Sequence, residues 1–245
     1  MNLIAIYTMK PQNKWLIMTL FAVAMGLLEC IVVVYLRQLC YPAGFSFPLK
    51  PMNPGILRVE LLREMATLLM LLSVGLLAGE NRIRKFAWFL YAFAVWDLFY
   101  YVFLKLLIHW PASLLSWDIL FLLPATWVGP VIAPLLNSLN MILLALILLR
   151  QRQDPGIKAV NAFEWVLLIA GSLILILAYT REYSSFMLNR FSPAELLNPA
   201  NSAQLIAYAG SFIPRHFDWG IYTGGMLMHW LAIGGIYRRA RKGIR

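Results

Sequence analysis

The chain has 245 residues, 61% of them hydrophobic and 13% charged, with a mean hydropathy of +0.71 and a formal net charge of +10. A soluble globular domain is typically about 45–50% apolar and about 25% charged, so this balance excludes a soluble fold and predicts an integral membrane protein. The lipid bilayer is then the first partner, and nucleic acid is not expected as one despite the basic excess.

Runs near the roughly 20 apolar residues that a membrane crossing needs are predicted at 15–36, 62–79, 86–108, 127–149, 160–180 and 219–238. They imply an all-α, six-helix bundle in a single transmembrane domain over residues 1–245. The first run follows Lys14 and is long enough to span, which predicts a retained anchor rather than a cleaved signal peptide. Cys30 and Cys40 fall on or just beyond it, roughly 15 Å apart along a helix axis, which exceeds disulfide reach. Cys30 reads as a small buried hydrophobe.

The next stretch, "CYPAGFSFPLKPMNPG", holds four prolines and is predicted as a loop, because each proline removes a donor and disfavours helix in the residue before it. The second helix carries Glu60, Arg63 and Glu64, spaced as i, i+3 and i+4 neighbours. At the outer interface they are expected to form a solvated ion pair.

In the third span, "VWDLFYYVFLKLLIHW" (95–110), Asp97, Tyr101 and Lys105 recur four residues apart. They share one helix face, with a drift of about 80° and a rise of about 12 Å from Asp97 to Lys105. A charge near mid-membrane costs about 2.5–3.5 kcal/mol on insertion scales and marks a functional site by default. Asp97 is expected to face the bundle interior and to be met by Tyr or Trp donors or by a basic side chain. Lys105 is expected to snorkel or to reach Glu64 or Asp118. A structural triad of Glu29, Asp97 and Lys105 is the alternative.

The stretch "HWPASLLSWDILFLLPATWVGPVIAPLL" is punctuated by Pro111, Pro124, Pro130 and Pro134. The pattern predicts a short interfacial or re-entrant helix capped by Ser113 and running to about Leu123, followed by the fourth span. Broken backbone at membrane depth is tolerated only where protein or a water-filled cavity receives it, so this segment should line a cavity open to the outside. In the last outer loop, 181–218, "SPAELL" and "NSAQLIAYAGSFI" are predicted as interfacial helices. Asp218 opens the last span, and His229 lies about three turns inside it.

Basic residues fix the expected orientation. With the N-terminus inside, thirteen are cytoplasmic: Lys10, Lys14, Arg82, Arg84, Lys85, Arg150, Arg152, Lys158, Arg238, Arg239, Arg241, Lys242 and Arg245. Seven lie outside, namely Arg37, Lys50, Arg58, Arg63, Arg181, Arg190 and Arg215, and Lys105 is within a span. Both termini are therefore expected in the cytoplasm. The "WD" and "FYY" of residues 96–101 with the following "WP" resemble bacterial inner-membrane proteins, which implies that location and no residue roles.

Glu29, Glu64, Asp97, Tyr101, Lys105, Asp118, Asp218 and His229 are the candidate ligand- or ion-binding residues, concentrated in the outer half. Glu164, near the inner end of its span, is read as an interface residue. His109, His216, Asp218 and His229 are metal-ligand types, although their spacing is not diagnostic. No dinucleotide-binding motif is visible, and one deep histidine does not supply an intra-chain bis-histidine haem site. The expected function is a ligand-binding component or subunit of a larger energy-transducing or envelope membrane system, with other membrane-protein subunits as partners. An intramembrane enzyme acting on a lipid-like substrate by acid–base chemistry, or a small proton- or cation-coupled transporter, are the alternatives. Trp88, Trp96, Trp110, Trp117, Trp127 and Trp219 are read mainly as interfacial belts.

Overall fold

Apolar chain in a bilayer satisfies its backbone by forming helices, and the long runs fold as α1 (Pro11–Cys40), α2 (Pro54–Ala78), α3 (Arg82–Ile108), α4 (Ile132–Arg150), α5 (Ala162–Leu188) and α8 (Trp219–Lys242). The computed structural model describes residues 11–42, 44–151, 159–196 and 198–242. Lys10, Arg152, Lys158 and Arg245, part of the expected cytoplasmic charge, lie outside the described residues. Helices α1 to α5 are long and apolar enough to cross a membrane, with mean hydropathies of 1.5 to 2.5 over their most apolar stretches. Leucines such as Leu20, Leu69, Leu106 and Leu173 are exposed along them, as lipid-facing residues are. The chain is a multi-pass membrane protein. α8 is long enough, at 24 residues, but less apolar, because it carries five glycines, His229 and a basic C-terminal turn.

Between α3 and α4 the chain makes an antiparallel hairpin, β1 (Trp117–Phe121) with β2 (Trp127–Pro130), in place of the expected short helix. The reason is local. Trp, Ile, Phe and Val alternate with other residues over a few positions, which suits a pleated strand, and Pro124 lies in the connection, where it needs no ladder hydrogen bond. The fourth span accordingly starts at Ile132, and residues 127–130 belong to the strand. The fifth helix extends to Leu188, so the long loop begins later than expected. Within it, α6 (Pro193–Leu196) and α7 (Ser202–Ala209) occupy the two stretches predicted to be helical. Ser192 and Glu195 cap each other at the start of α6. Among its described residues, the proline-rich stretch after α1 carries no helix before Pro54.

Contacts between elements give the long helices alternating directions. At the end that holds the start of α1 and the finish of α8, here the terminal end, Lys14 pairs with Glu80 after α2 and Glu164 of α5 pairs with Arg239 of α8. The Lys14 hydrogen bond holds the Glu80 carboxyl below the usual carboxylate range. Glu164 also closes a capping box with Asn161. At the opposite end, the hairpin end, Arg181 of α5 pairs with Asp218, which caps α8 by accepting from the Ile221 amide at 3.1 Å.

Helix α8 lies along α5, and a Cβ at Gly171 would come within 2.9 Å of the Gly225 carbonyl and 2.6 Å of the His229 ring. Such close approach of small residues is how helices associate in lipid. Gly171→Leu should therefore lower stability by about 1–3 kcal/mol through overpacking. Thermal unfolding in mild detergent reads this as a depressed Tm, and an unchanged Tm would contradict the close crossing.

Candidate functional site

The hairpin is inserted among the helices, and its polar groups determine what surrounds it. Phe121, at the end of β1, stacks on Phe93 and leans on Trp96, both near the middle of α3, with ring centroids 6.4 and 6.1 Å apart. Trp127, at the start of β2, stacks on Tyr179 of α5 at 5.6 Å. Gly129 fits between the Tyr179 and Phe217 rings, where a Cβ would stand 3.1 Å from each. Asp118 on β1 is only 2% exposed. It accepts from Arg37 Nη2 at 3.1 Å and from the Tyr101 hydroxyl at 3.2 Å. The Arg37 guanidinium in turn lies 3.8 Å from the centre of the Trp110 ring and 4.6 Å from that of Phe45. Such contacts strengthen when desolvated. Just beyond β1, the Leu122 amide donates to both oxygens of Glu64 at 3.0 Å.

Helices, hairpin and the loop after α1 together border a partly open chamber of about 380 Å³. Its walls include the aromatic rings of Phe89, Phe93, Trp96, Phe121, Trp127 and Tyr179. One polar group is Glu29, Glu60 and Arg63, in which Arg63 donates to Glu29 and, through Nε at 2.9 Å, to Glu60. Glu29, Glu60 and Glu64 are 9%, 8% and 5% exposed. The expectation of a solvated pair on α2 is thus overturned, because the face bearing these residues turns toward α1 and the hairpin rather than toward water.

A second polar group surrounds Asp97, which is half-buried, lines the chamber and accepts from the Ser138 hydroxyl at 2.7 Å. Farther along, Asn140 and His229 bond through Nδ2 and Nδ1 at 3.2 Å, while His229 Nε2 meets the Leu168 carbonyl at 3.0 Å. If Nε2 carries the proton, the ring is a neutral donor to Leu168 and an acceptor from Asn140. Five carboxylates line the chamber, Glu29, Glu60, Glu64, Asp97 and Asp118, against two arginines, Arg37 and Arg63.

Several expected pairings do not form. Lys105 is exposed and donates to the carbonyls of His109 and Pro111, at 3.4 and 2.9 Å, rather than to Glu64 or Asp118. Both carboxylates already have partners nearer their own depth. Glu29 joins Arg63 and Asp97 joins Ser138, so the triad with Lys105 is not assembled. The metal-ligand candidates are not brought together either: His109 and His216 are exposed, Asp218 caps α8, and His229 faces Asn140. Among the described residues no group of three or more His, Cys, Asp or Glu could hold a metal ion. The belt reading also fails for three of the tryptophans. Trp88 and Trp96 are buried in the core, and Trp127 lines the chamber.

Arg37, Arg63, Ser138 and Asn140 complete the site without having been among the candidates. The signal for the last two is legible, since "LLNSLNMILL" places three polar residues within four positions of an otherwise apolar span. Compared with known protein families, curated proteins and solved structures, the chain matches none.

Removing one member of a buried ion pair strands the other, at about 3–5 kcal/mol, whereas neutralising both is far milder. Arg37→Gln should thus destabilise the protein strongly, and Arg37→Gln with Asp118→Asn should recover most of the loss. Thermal unfolding of the two single variants and the double variant measures this, and strict additivity would refute the pairing. Glu64→Ala should lower stability by about 1–3 kcal/mol by orphaning the Leu122 amide, with Glu64→Gln milder because it keeps an acceptor.

Proposed function

We propose that the protein is a ligand-binding component of the membrane whose chamber holds an amphiphile bearing an amine or other cationic, proton-donating head. The observation that carries this reading is Asp97, a chamber-lining carboxylate with a hydroxyl donor but no cationic partner among the described residues. Around it, carboxylates outnumber guanidinium groups and the walls are aromatic. Aromatic faces attract a cation, and an acid in a low-dielectric site favours an opposite charge close by. The apolar walls accept the tail.

The rest of the reading concerns setting. We place the sixth crossing at α8, both termini in the cytoplasm and the hairpin end outside, in a bacterial inner membrane. The greater number of basic residues on the terminal side supports that orientation. Cysteine labelling of a chain otherwise free of cysteine tests it. A thiol at Ser211 should react with an impermeant reagent from outside and one at Asn13 should not, and the opposite pattern would reverse the assignment.

Purification at native expression in mild detergent, followed by mass spectrometry of retained small molecules, tests the ligand. An amine-bearing amphiphile retained by the wild type and lost on Asp97→Asn, with an unchanged Tm, supports the reading. Equal retention by the variant, or retention of neutral or anionic lipids alone, contradicts it. Proteins that co-migrate would support a place in a larger energy-transducing or envelope assembly, whereas a functional isolated monomer would count against it. Because Asp97 has no cationic partner among the described residues, proton- or cation-coupled transport is the second reading. It predicts that reconstituted vesicles show ion-driven uptake that Asp97→Asn abolishes.

A further inference from the structure

α8 meets α4 near the hairpin end, where the Tyr222 hydroxyl donates to the Ala133 carbonyl at 2.8 Å, and again at mid-helix beside the chamber, where His229 bonds Asn140. α8 stays on α5 along its length, with Gly171 against Gly225 between those two contacts and Glu164 pairing with Arg239 beyond them. A groove of about 800 Å³ opens between the C-terminal halves of α4 and α8. Leu143, Ile147 and Ile233 line it with apolar surface, and Arg150 and Arg241 lie at its terminal end.

Three observations say what the groove accepts. First, Arg150 and Arg241 are exposed and neither has a carboxylate partner among the described residues, whereas Glu80 and Glu164 at the same end are taken by Lys14 and Arg239. Second, Gln151, only 6% exposed, lines the groove, and its Oε1 is buried with no hydrogen-bond donor among the described residues. Third, Gly234 lines the groove, and a Cβ there would meet nothing within 4 Å, so the space is open up to the helix backbone. The carbonyl ends of α4 and α8 also lie here and disfavour an anion, so the two guanidinium groups must carry the charge recognition.

We propose that this groove is a binding site for an anionic phospholipid. Its phosphate lies between Arg150 and Arg241, a headgroup hydroxyl donates to Gln151, and one acyl chain runs along the apolar wall between α4 and α8. Guanidinium groups pair with phosphate through paired N–H donors, and basic pockets between membrane helices bind anionic headgroups. The site is independent of the chamber and shares no lining residue with it.

Native mass spectrometry of the full chain, in equal mixtures of phosphatidylglycerol and phosphatidylcholine with the same acyl chains, tests the proposal. The wild type should retain phosphatidylglycerol at least about tenfold over phosphatidylcholine. Arg150→Gln with Arg241→Gln should abolish the preference. Gly234→Trp puts a ring into the groove from a position where a Cβ meets nothing within 4 Å, and should remove the bound lipid while Tm does not fall. Glycerol phosphate, which has the headgroup but no tail, should not compete. Lack of preference in the wild type, preference kept by the double variant, lipid kept by Gly234→Trp, or effective competition by glycerol phosphate would each overturn the site.

Discussion

Everything at the hairpin end depends on one constraint. Strand and turn placed among membrane helices have polar atoms that lipid cannot satisfy, so the surrounding protein must supply every partner. Glu64 on α2 accepts the Leu122 amide, and Arg37 on α1 with Tyr101 on α3 holds the Asp118 carboxylate. These contacts tie three helices to fourteen residues of non-helical chain, 117 to 130. Without them the hairpin would leave a buried carboxylate and an orphaned amide behind, and the chamber would lose a wall.

The same constraint explains where the aromatic residues lie. A hairpin among helices leaves irregular gaps, and flat rings fill such gaps while keeping a polar edge available. Phe93, Trp96 and Phe121 pack at one wall and Trp127, Tyr179 and Phe217 at another. The result is a cavity with aromatic sides whose polar lining is mostly acidic. Farther from the hairpin, α8 follows α5 rather than α4, since glycines allow the first pair to approach closely, and the second pair separates toward the terminal end. Close packing of a few small residues on α5 and α8 thus leaves the groove open beside α4.

The long helices were legible because each apolar run is near the length of a membrane crossing, and the short helices near "SPAELL" and "NSAQLIAYAG" because they carry capping residue types. The hairpin was not. Four prolines around it pointed correctly to broken structure, but strand and short helix look alike in a brief apolar run, and only the alternation around Ile119 and Val128 separated them. The chamber was half legible. Glu29, Asp97 and Asp118 stand out as charges in apolar surroundings, and all three line it. Their partners were hidden, because Arg37 and Arg63 look like interfacial cations, and Glu64 is held by a backbone amide 58 residues away that no side-chain pattern encodes. Lys105 misled for the opposite reason: an ammonium near a helix end finds carbonyls locally and needs no distant carboxylate.

The account turns on the hairpin being seated among the helices at the depth of the middle of α3. In a chain with Cys30 and Cys40 replaced, thiols at Phe93→Cys and Phe121→Cys should be joined within one molecule by a short bifunctional reagent. A control pair, Phe121→Cys with the lipid-facing Leu106→Cys, should not be joined. Cross-linking of the first pair and not of the second is the result the account predicts. Free reactivity of both thiols in the first pair without any cross-link would place the hairpin elsewhere and contradict the chamber.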